Sequence, residues 1–255
     1  SVLPTHSDLK LIASPEFAVN LVWVSYAYAG WNSSVYVVGE IVQPEKNIFR
    51  SIFIGTIIVT LLYIALNFVF LYVTPMNELI GRVEVGYLSG VHLFGTKLAT
   101  VVSLCIGLLL ISTVSSYIYI GPRIVQAIGK DYDRLRILSK TDSQGIPYNA
   151  FILQLFISLL FVFTSSFEQV LMYTGITLII TSTITVCSLF YLRYKEPDLV
   201  RPYNVWGYPW TSLFFVLLNS WVLYYTFRLQ TLESIIGLGL MAISFGLFFI
   251  IKKDK

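Results

Sequence analysis

Apolar residues dominate seven long stretches of the chain, and short segments between them carry most of the charged side chains. A run of about 20 apolar residues can cross the hydrocarbon core of a bilayer as an α-helix. None of the stretches alternates with a period of two, as the strands of a transmembrane barrel would. The pattern therefore predicts an all-α integral membrane protein whose seven transmembrane helices cover residues 17–38, 51–74, 98–120, 151–164, 170–192, 210–227 and 235–251.

The local sequence of the first stretch predicts that its helix is broken. Gly30 is closely followed by Asn32, Ser33 and Ser34, and these residue types are unfavourable in a helix interior. An unwound turn leaves backbone polar groups without partners, so a membrane tolerates it only inside protein or beside a cavity. Broken helices of this kind form binding sites in secondary transporters. We therefore expect a functional site at this interruption.

The composition supports a membrane protein, and the positions of its Cys and His residues argue against an enzyme. The chain of 255 residues is 56% hydrophobic and 12% charged, with a mean hydropathy of +0.75, far from the averages of soluble domains. Cys105 and Cys187 lie inside predicted spans, and His6 and His92 lie in predicted external loops. These positions form no cluster from which a metal or hydrolytic site could be built. We expect no catalytic residues, no metal and no cofactor.

The distribution of positive charge predicts the orientation. Lys and Arg concentrate in cytoplasmic loops of membrane proteins. If the first helix runs from outside to inside, 13 of the 17 basic residues are cytoplasmic. We therefore expect a multi-pass protein of the cell membrane, with the first residues extracellular and the last cytoplasmic. The same bias accounts for the net charge of +3, so the charge does not indicate a nucleic-acid partner.

The amino end of the chain suggests further helices upstream. The sequence begins with Ser1 and has no basic, apolar leader to carry its first segment outward. We therefore expect additional amino-terminal helices to precede it and to act as partners of this part of the chain.

Four motifs stand in a fixed order along nearly the whole chain: residues 28–32 (Tyr-Ala-Gly-Trp-Asn), residues 40–47 (Glu-Ile-Val-Gln-Pro-Glu-Lys-Asn), residues 121–124 (Gly-Pro-Arg-Ile), and residues 201–203 with 207–210 (Arg-Pro-Tyr and Gly-Tyr-Pro-Trp). Together they resemble the amino acid-polyamine-organocation permeases, a family of secondary transporters with a LeuT-like fold. Members usually have twelve helices, the first ten forming two inverted repeats of five. The resemblance implies that this chain corresponds to helices six to twelve.

The domain organisation that follows from this resemblance has four parts. Residues 1–16 would be an extracellular loop, and residues 17–194 the second five-helix inverted repeat. Residues 195–208 would be a cytoplasmic loop. Residues 209–255 would hold two additional transmembrane helices and a cytoplasmic tail.

The resemblance also implies where the substrate binds, because the family holds it between the unwound parts of helices one and six. The substrate-binding residues expected on this chain are Tyr26, Ala27, Tyr28, Ala29, Gly30, Trp31 and Asn32. By resemblance, Tyr26 covers the substrate from the outside. Tyr28 and Trp31 either line the break or pack between helices.

The physical chemistry of a broken helix suggests how these residues act. Carbonyl groups around Tyr26, Ala27 and Ala29 are expected to lose their helical partners and to suit a substrate ammonium group. The small side chains of Ala27, Ala29 and Gly30 leave room for a ligand to reach the backbone. Asn32 or one of the serines after it can cap the inner half-helix.

Three further residues are candidates for ion coupling. Glu40 is a carboxylate at the end of an apolar helix, where it has either an interfacial structural role or a gating, proton-linked one. Ser115 and Ser116 lie in the span that resembles helix eight, where sodium-coupled relatives of the fold use hydroxyl ligands. The alternative is that these hydroxyls bond to their own helix or to a neighbouring one.

These observations favour a secondary active transporter of amino acids or related amines that works by alternating access. Proton coupling or exchange is expected, so the partners are the substrate, a coupling proton or cation, and the lipid bilayer. Two alternatives remain open, a seven-helix receptor and a non-transporting membrane subunit. A receptor should have an unbroken first helix.

Overall fold

The computed structural model describes residues 10–31, 38, 41–164, 166–199, 201 and 203–252. Throughout these residues the regular secondary structure is helical, with no strand. The helices are α1 (Pro15–Ala27), α2 (Pro44–Val73), α3 (Met76–Leu79), α4 (Val85–Asp131), α5 (Arg136–Ser139), α6 (Tyr148–Thr164), α7 (Phe167–Lys195), α8 (Trp210–Leu229) and α9 (Thr231–Lys252). A short 3-10 helix at Asp133–Leu135 precedes α5. The predicted all-α class is confirmed.

Five of the helices, α2, α4, α7, α8 and α9, are long and apolar enough to cross a membrane. Helix α6 is apolar but has 17 residues, and α1 has 13. Most of the rest of the predicted first span, residues 32–37, lies outside the described residues. The count of seven spans, the inverted repeat and the four-part domain division therefore stay predictions.

Helix α2 begins at Pro44, earlier than the predicted start at residue 51. Proline suits the first turn of a helix, because its fixed φ is already helical and its missing N–H would have no helical partner there. The backbone N–H groups of Lys46 and Asn47 both donate to the Gln43 carbonyl oxygen at 3.1 Å. The charged segment 44–50, which the sequence suggested was a loop, thus forms the first turns of α2.

Helix α4 changes direction at Gly95, where the backbone is non-helical (φ 77°, ψ 168°). A Cβ on Gly90 would lie 3.3 Å from the Ala99 Cβ, and one on Gly86 would lie 3.0 Å from the Ile106 side chain. Because these two contacts lie progressively further from Gly95 on both sides, the segment 85–94 packs antiparallel to the turns that follow Gly95, up to about Ile106. The second segment continues through Pro122 to Asp131, beyond the predicted end of this span at residue 120.

The described residues divide into two compact units, one within residues 33–125 and the other within residues 5–32 and 126–255. In the first unit the loop after α2 is tied to α4 by a buried hydrogen bond between the Thr74 and Ser89 hydroxyl oxygens, 2.9 Å apart. Helix α2 itself, all of whose residues are described, buries no side chain.

The second unit is built around α7. Its core comprises Val19, Val22, Met172, Ile176, Ile179 and Val222, contributed by α1, α7 and α8. Helices α1 and α7 approach closely at Gly175, where a Cβ would lie 2.7 Å from the Val22 Cγ1. Small residues permit such close packing of membrane helices. Helix α9 packs on the same helix through Gly237, where a Cβ would lie 3.3 Å from the Tyr173 carbonyl oxygen.

Candidate substrate site

Helix α1 ends within the apolar run, at the position where the sequence predicted a break. The Ser14 side chain caps its amino end by accepting a hydrogen bond from the Phe17 N–H at 3.1 Å. Its last helical residue is Ala27, and residues 28–31 form a turn. Gly30 has a φ of 111°, a conformation that only glycine adopts readily. The predicted end of the helix near Gly30 is thus confirmed, while residues 32–37, where the chain would resume its helix, lie outside the described residues.

The hydrogen bonds of this turn correct one expectation. The Ala29 N–H donates to the Tyr26 carbonyl oxygen at 2.9 Å, and the Tyr28 N–H donates to the Val24 carbonyl oxygen at 3.2 Å. The prediction that the Tyr26 carbonyl loses its partner is therefore wrong. The bond to Ala29 spans three residues, so the last turn tightens towards 3-10 geometry and satisfies a carbonyl that an ideal helix end would leave open.

A cavity of about 680 Å³ lies beside this turn, within the second unit. Gly30 and Trp31 form one part of its lining, and α7 and α9 form the two facing walls. Its volume is within the range of about 300–1,000 Å³ that is typical of ligand pockets. The turn that ends α1 therefore lies beside a space large enough for a small molecule.

The α7 wall of the cavity carries hydroxyl groups. Thr174, Thr177, Thr181 and Ser182 line it, together with Tyr173 and Leu178. The hydroxyls of Thr174, Thr177 and Thr181 donate to the carbonyl oxygens of Val170, Tyr173 and Thr177 at 2.6, 2.9 and 2.9 Å. A hydroxyl has one proton and two acceptor lone pairs. This wall therefore offers hydrogen-bond acceptors, while three of its hydroxyl protons are already used.

The α9 wall is mainly apolar. It consists of Leu240, Met241, Ser244, Phe245 and Phe248. The Ser244 hydroxyl donates to the Leu240 carbonyl oxygen at 2.9 Å. None of the described residues that line the cavity is charged. The site thus combines an acceptor surface on α7 with an aromatic and aliphatic surface on α9.

Of the residues predicted for substrate binding, Gly30 and Trp31 line this cavity. Tyr26, Ala27, Tyr28 and Ala29 belong to the same helix end but are not among its lining residues. Ala27 and Tyr28 take part in further interactions, and the Tyr26 side chain is 38% exposed. Asn32 lies outside the described residues, as do the serines at positions 33 and 34.

Of the three residues predicted for ion coupling, the structure describes Ser115 and Ser116, and neither is among the residues that line this cavity. Glu40 lies outside the described residues. Ser115 and Ser116 are exposed residues of α4 in the first unit, whereas the described lining belongs to the second. The Ser116 hydroxyl donates to the Ser112 carbonyl oxygen at 3.2 Å, which is the bond to its own helix that the alternative interpretation expects.

Over the residues that the structure describes, no group of three or more His, Cys, Asp or Glu side chains is placed to hold a metal ion. Glu78 and His92 form a pair, with 2.9 Å between Oε2 and Nε2, and both side chains are partly exposed. This pair belongs to the first unit.

The walls on α7 and α9 were missed by the sequence analysis. A signal for the first wall was present, since Thr174, Thr177 and Thr181 recur at intervals of three and four residues and must share one helix face. Sequence periodicity cannot say which other helix that face meets. The contribution of the last helix became visible only in the structure.

Comparison with known proteins identifies the family. The sequence profile described as "Amino acid permease" matches residues 5–247. The mouse "Large neutral amino acids transporter small subunit 2" is 28% identical over 219 residues, which cover 85% of this chain and 40% of the relative. The mouse "Solute carrier family 7 member 12" is 27% identical, over 78% of this chain and 43% of the relative.

The "Cystine/glutamate transporter" of Pongo abelii is 26% identical, over 71% of this chain and 36% of the relative. The chain thus spans about 40% of the length of the curated relatives it matches. The family profile includes the end of α1, all of α7 and most of α9, and it confirms the resemblance to amino acid-polyamine-organocation permeases. The chain belongs to the amino acid permease family.

Proposed function

We propose that this chain is part of a secondary active transporter that moves amino acids across the cell membrane by alternating access. In this proposal it supplies the second inverted repeat and two further helices of a LeuT-like fold. The first residues are extracellular and the carboxyl terminus is cytoplasmic. Family membership and the five long apolar helices support this assignment.

The observation that carries the proposal is the cavity at the end of α1. An irregular backbone at membrane depth is tolerated where it lines a cavity, and Gly30 and Trp31 line this one. The carboxyl end of a helix bears partial negative charge, and the hydroxyls on α7 add acceptors. Both features suit the ammonium group of an amino acid.

The same helix end argues against the receptor alternative. That alternative requires a continuous first helix, whereas α1 stops at Ala27. The second alternative, a non-transporting membrane subunit, differs from the proposal in a measurable way. A subunit of that kind would not accumulate substrate in reconstituted vesicles.

The test is the Gly30→Leu variant of the complete gene product reconstituted in liposomes. A leucine at a φ of 111° strains the backbone by about 1–3 kcal/mol and puts a bulky side chain at the cavity. We expect saturable amino acid uptake to fall at least about tenfold at equal protein incorporation. Gly107→Leu is the matched control, because Gly107 is an exposed residue of α4 with no atom near its Cβ position. Equal uptake by the Gly30→Leu variant and the parent would contradict the proposal.

We also propose that uptake is proton-coupled or occurs by exchange, with Glu40 as the candidate proton-linked group. An inwardly directed proton gradient should then increase net uptake in liposomes. Glu40→Gln should remove this stimulation and leave amino acid exchange intact. Stimulation of the same size in the variant would assign Glu40 the structural role instead.

A further inference from the structure

Resting on the proposed function, we propose that Asn219, in the middle of α8, is a positioning residue for transport. In this proposal its buried side-chain amide binds backbone groups at the carboxyl end of α1 when the turn at residues 28–31 opens during alternating access. Asn219 is not among the described residues that line the cavity. It therefore acts through α1 and not by contact with the substrate.

Asn219 belongs to a polar stripe that is buried on one face of α8. Ser212, Asn219 and Thr226 follow one another at intervals of seven residues, close to two helical turns, and their exposed fractions are 7%, 8% and 0%. Val222 lies on the same side of the helix and belongs to the core that α1, α7 and α8 form together. Asn219 is thus enclosed by neighbouring helices and does not face lipid.

Contacts at two levels of α8 give its direction relative to α7. Just before α8, the centroid of the Tyr208 ring lies 5.5 Å from that of Phe190, near the carboxyl end of α7. Further along α8, Val222 shares the core with Ile176, which lies in the first half of α7. The two helices therefore run antiparallel.

Contacts of α1 show that it runs in the same direction as α7. Val22 packs on Gly175. Gly30, just after α1, lines the cavity, which extends from that level of α7 to Ser182, closer to the carboxyl end of α7. Helices α1 and α8 are therefore antiparallel, so Asn219, nearly one turn before the core residue of α8, lies towards the carboxyl end of α1.

The Asn219 amide has hydrogen-bonding groups that this conformation leaves unused. Its neighbour on the stripe, Thr226, donates its hydroxyl proton to the Val222 carbonyl oxygen at 2.7 Å. No hydrogen bond joins the Asn219 side chain to any residue that the structure describes. An amide side chain has two donor hydrogens and an acceptor oxygen, and burying it without partners is unfavourable. A second conformation in which the amide is paired accounts for its position between helices.

The turn after α1 supplies the groups that pair with the amide in that conformation. In the closed turn, the N–H groups of Tyr28 and Ala29 donate to the carbonyl oxygens of Val24 and Tyr26 at 3.2 and 2.9 Å. Opening the turn frees these groups within the membrane, where they need other partners. Because an asparagine amide both donates and accepts, Asn219 lowers the free energy of the open turn.

The first test is amino acid uptake by the complete gene product in liposomes, with the substrate that the parent takes up fastest from a panel of the protein amino acids. Asn219→Leu removes the amide at similar volume. We expect the maximal uptake rate to fall about tenfold, the order expected when one hydrogen bond is lost from a rate-limiting step. The KM should stay near the parent value, because Asn219 does not line the cavity.

Two further variants separate this role from a packing role. Asn219→Gln keeps an amide and should recover part of the lost rate. Thr226→Val is the matched control, because Thr226 is buried on the same stripe and its hydroxyl bonds to its own helix. The unfolding temperature of Asn219→Leu should not fall, since the amide has no hydrogen bond to lose in the closed form. A loss of rate with an equal loss in Thr226→Val, or with a lower unfolding temperature and no recovery in Asn219→Gln, would overturn the inference.

Hydrogen exchange at the backbone amides of Tyr28 and Ala29 tests the inference without transport. These amides exchange when the turn opens, so Asn219→Leu should slow their exchange about tenfold and Thr226→Val should not. Equal or faster exchange in Asn219→Leu, or an unchanged uptake rate, would overturn the inference and leave the transporter assignment intact. A parent that takes up no amino acid of the panel would refute the proposed function instead. If Asn219→Leu does not reach the liposomes, Asn219→Ala takes its place in both measurements.

Discussion

Two glycines of the second unit are required for different physical reasons. Gly30 has a φ of 111°, a backbone conformation that is strained for any residue with a Cβ. Gly175 lies in the regular helix α7, but a Cβ there would lie 2.7 Å from the Val22 Cγ1, and Val22 is only 1% exposed. Local sequence chemistry predicted the first requirement. The second depends on a residue of another helix, so it was not predicted.

We predict that Gly175→Ala lowers the free energy of unfolding by about 1–3 kcal/mol, because the added methyl group overpacks the contact between α1 and α7. The measurement is thermal unfolding of the complete gene product in detergent. Gly239→Ala is the matched control, since nothing lies within 4 Å of its Cβ position.

A second variant shows whether Val22 is the cause of this effect. Val22→Ala removes the atoms that the new methyl group meets, so the double variant should lose less stability than the sum of the two single variants. Strict additivity of the two changes would contradict the assignment.

One basic residue that the sequence analysis used only for its charge also stabilises the chain just after a helix end. The last carbonyls of a helix lack helical partners, and a cation there is favourable. The Arg201 guanidinium donates to the carbonyl oxygens of Glu196, Pro197 and Leu199 at 2.7, 3.1 and 2.9 Å, just after α7 ends. The charge pattern predicts that this arginine lies in a cytoplasmic loop. Its carbonyl partners could be identified only from the structure, because they depend on how the loop folds.

We predict that Arg201→Ala loosens the segment after α7 by about 1–2 kcal/mol, because three carbonyl oxygens lose a charged donor. Hydrogen exchange at the backbone amides of Glu196, Asp198 and Leu199 should become faster. Lys140→Ala removes an exposed positive charge elsewhere and should leave this segment unchanged. Identical exchange in both variants would assign Arg201 no role in ordering the loop.

Over the whole molecule, apolar side chains are widely exposed. Helix α2 buries none of its residues. In α6, the consecutive residues Val162 and Phe163 are 72% and 82% exposed. Soluble monomers rarely expose large contiguous apolar patches. A lipid environment accounts for these surfaces. The uneven distribution of Lys and Arg among the loops then predicts which side of the membrane each loop faces.

The predicted orientation can be tested by labelling single cysteines with a membrane-impermeant maleimide. In a background with Cys105→Ala and Cys187→Ala, Asn77→Cys should react in intact cells, because its loop is predicted to be external. Gln144→Cys should react only after the cells are permeabilised. Both positions are exposed, so accessibility depends on the side of the membrane. The reverse pattern would overturn the assigned orientation.

The sequence by itself determined the helical class, the membrane environment, the end of the first helix near Gly30 and the family resemblance. These properties depend on composition, on apolar runs and on residues close together along the chain. The tertiary structure decided that Gly30 and Trp31 share a cavity with Thr177 and Phe245 and that α4 reverses at Gly95. It also gave the Tyr26 carbonyl a partner. Such features depend on φ and ψ values and on contacts between distant helices, which a periodic pattern does not specify.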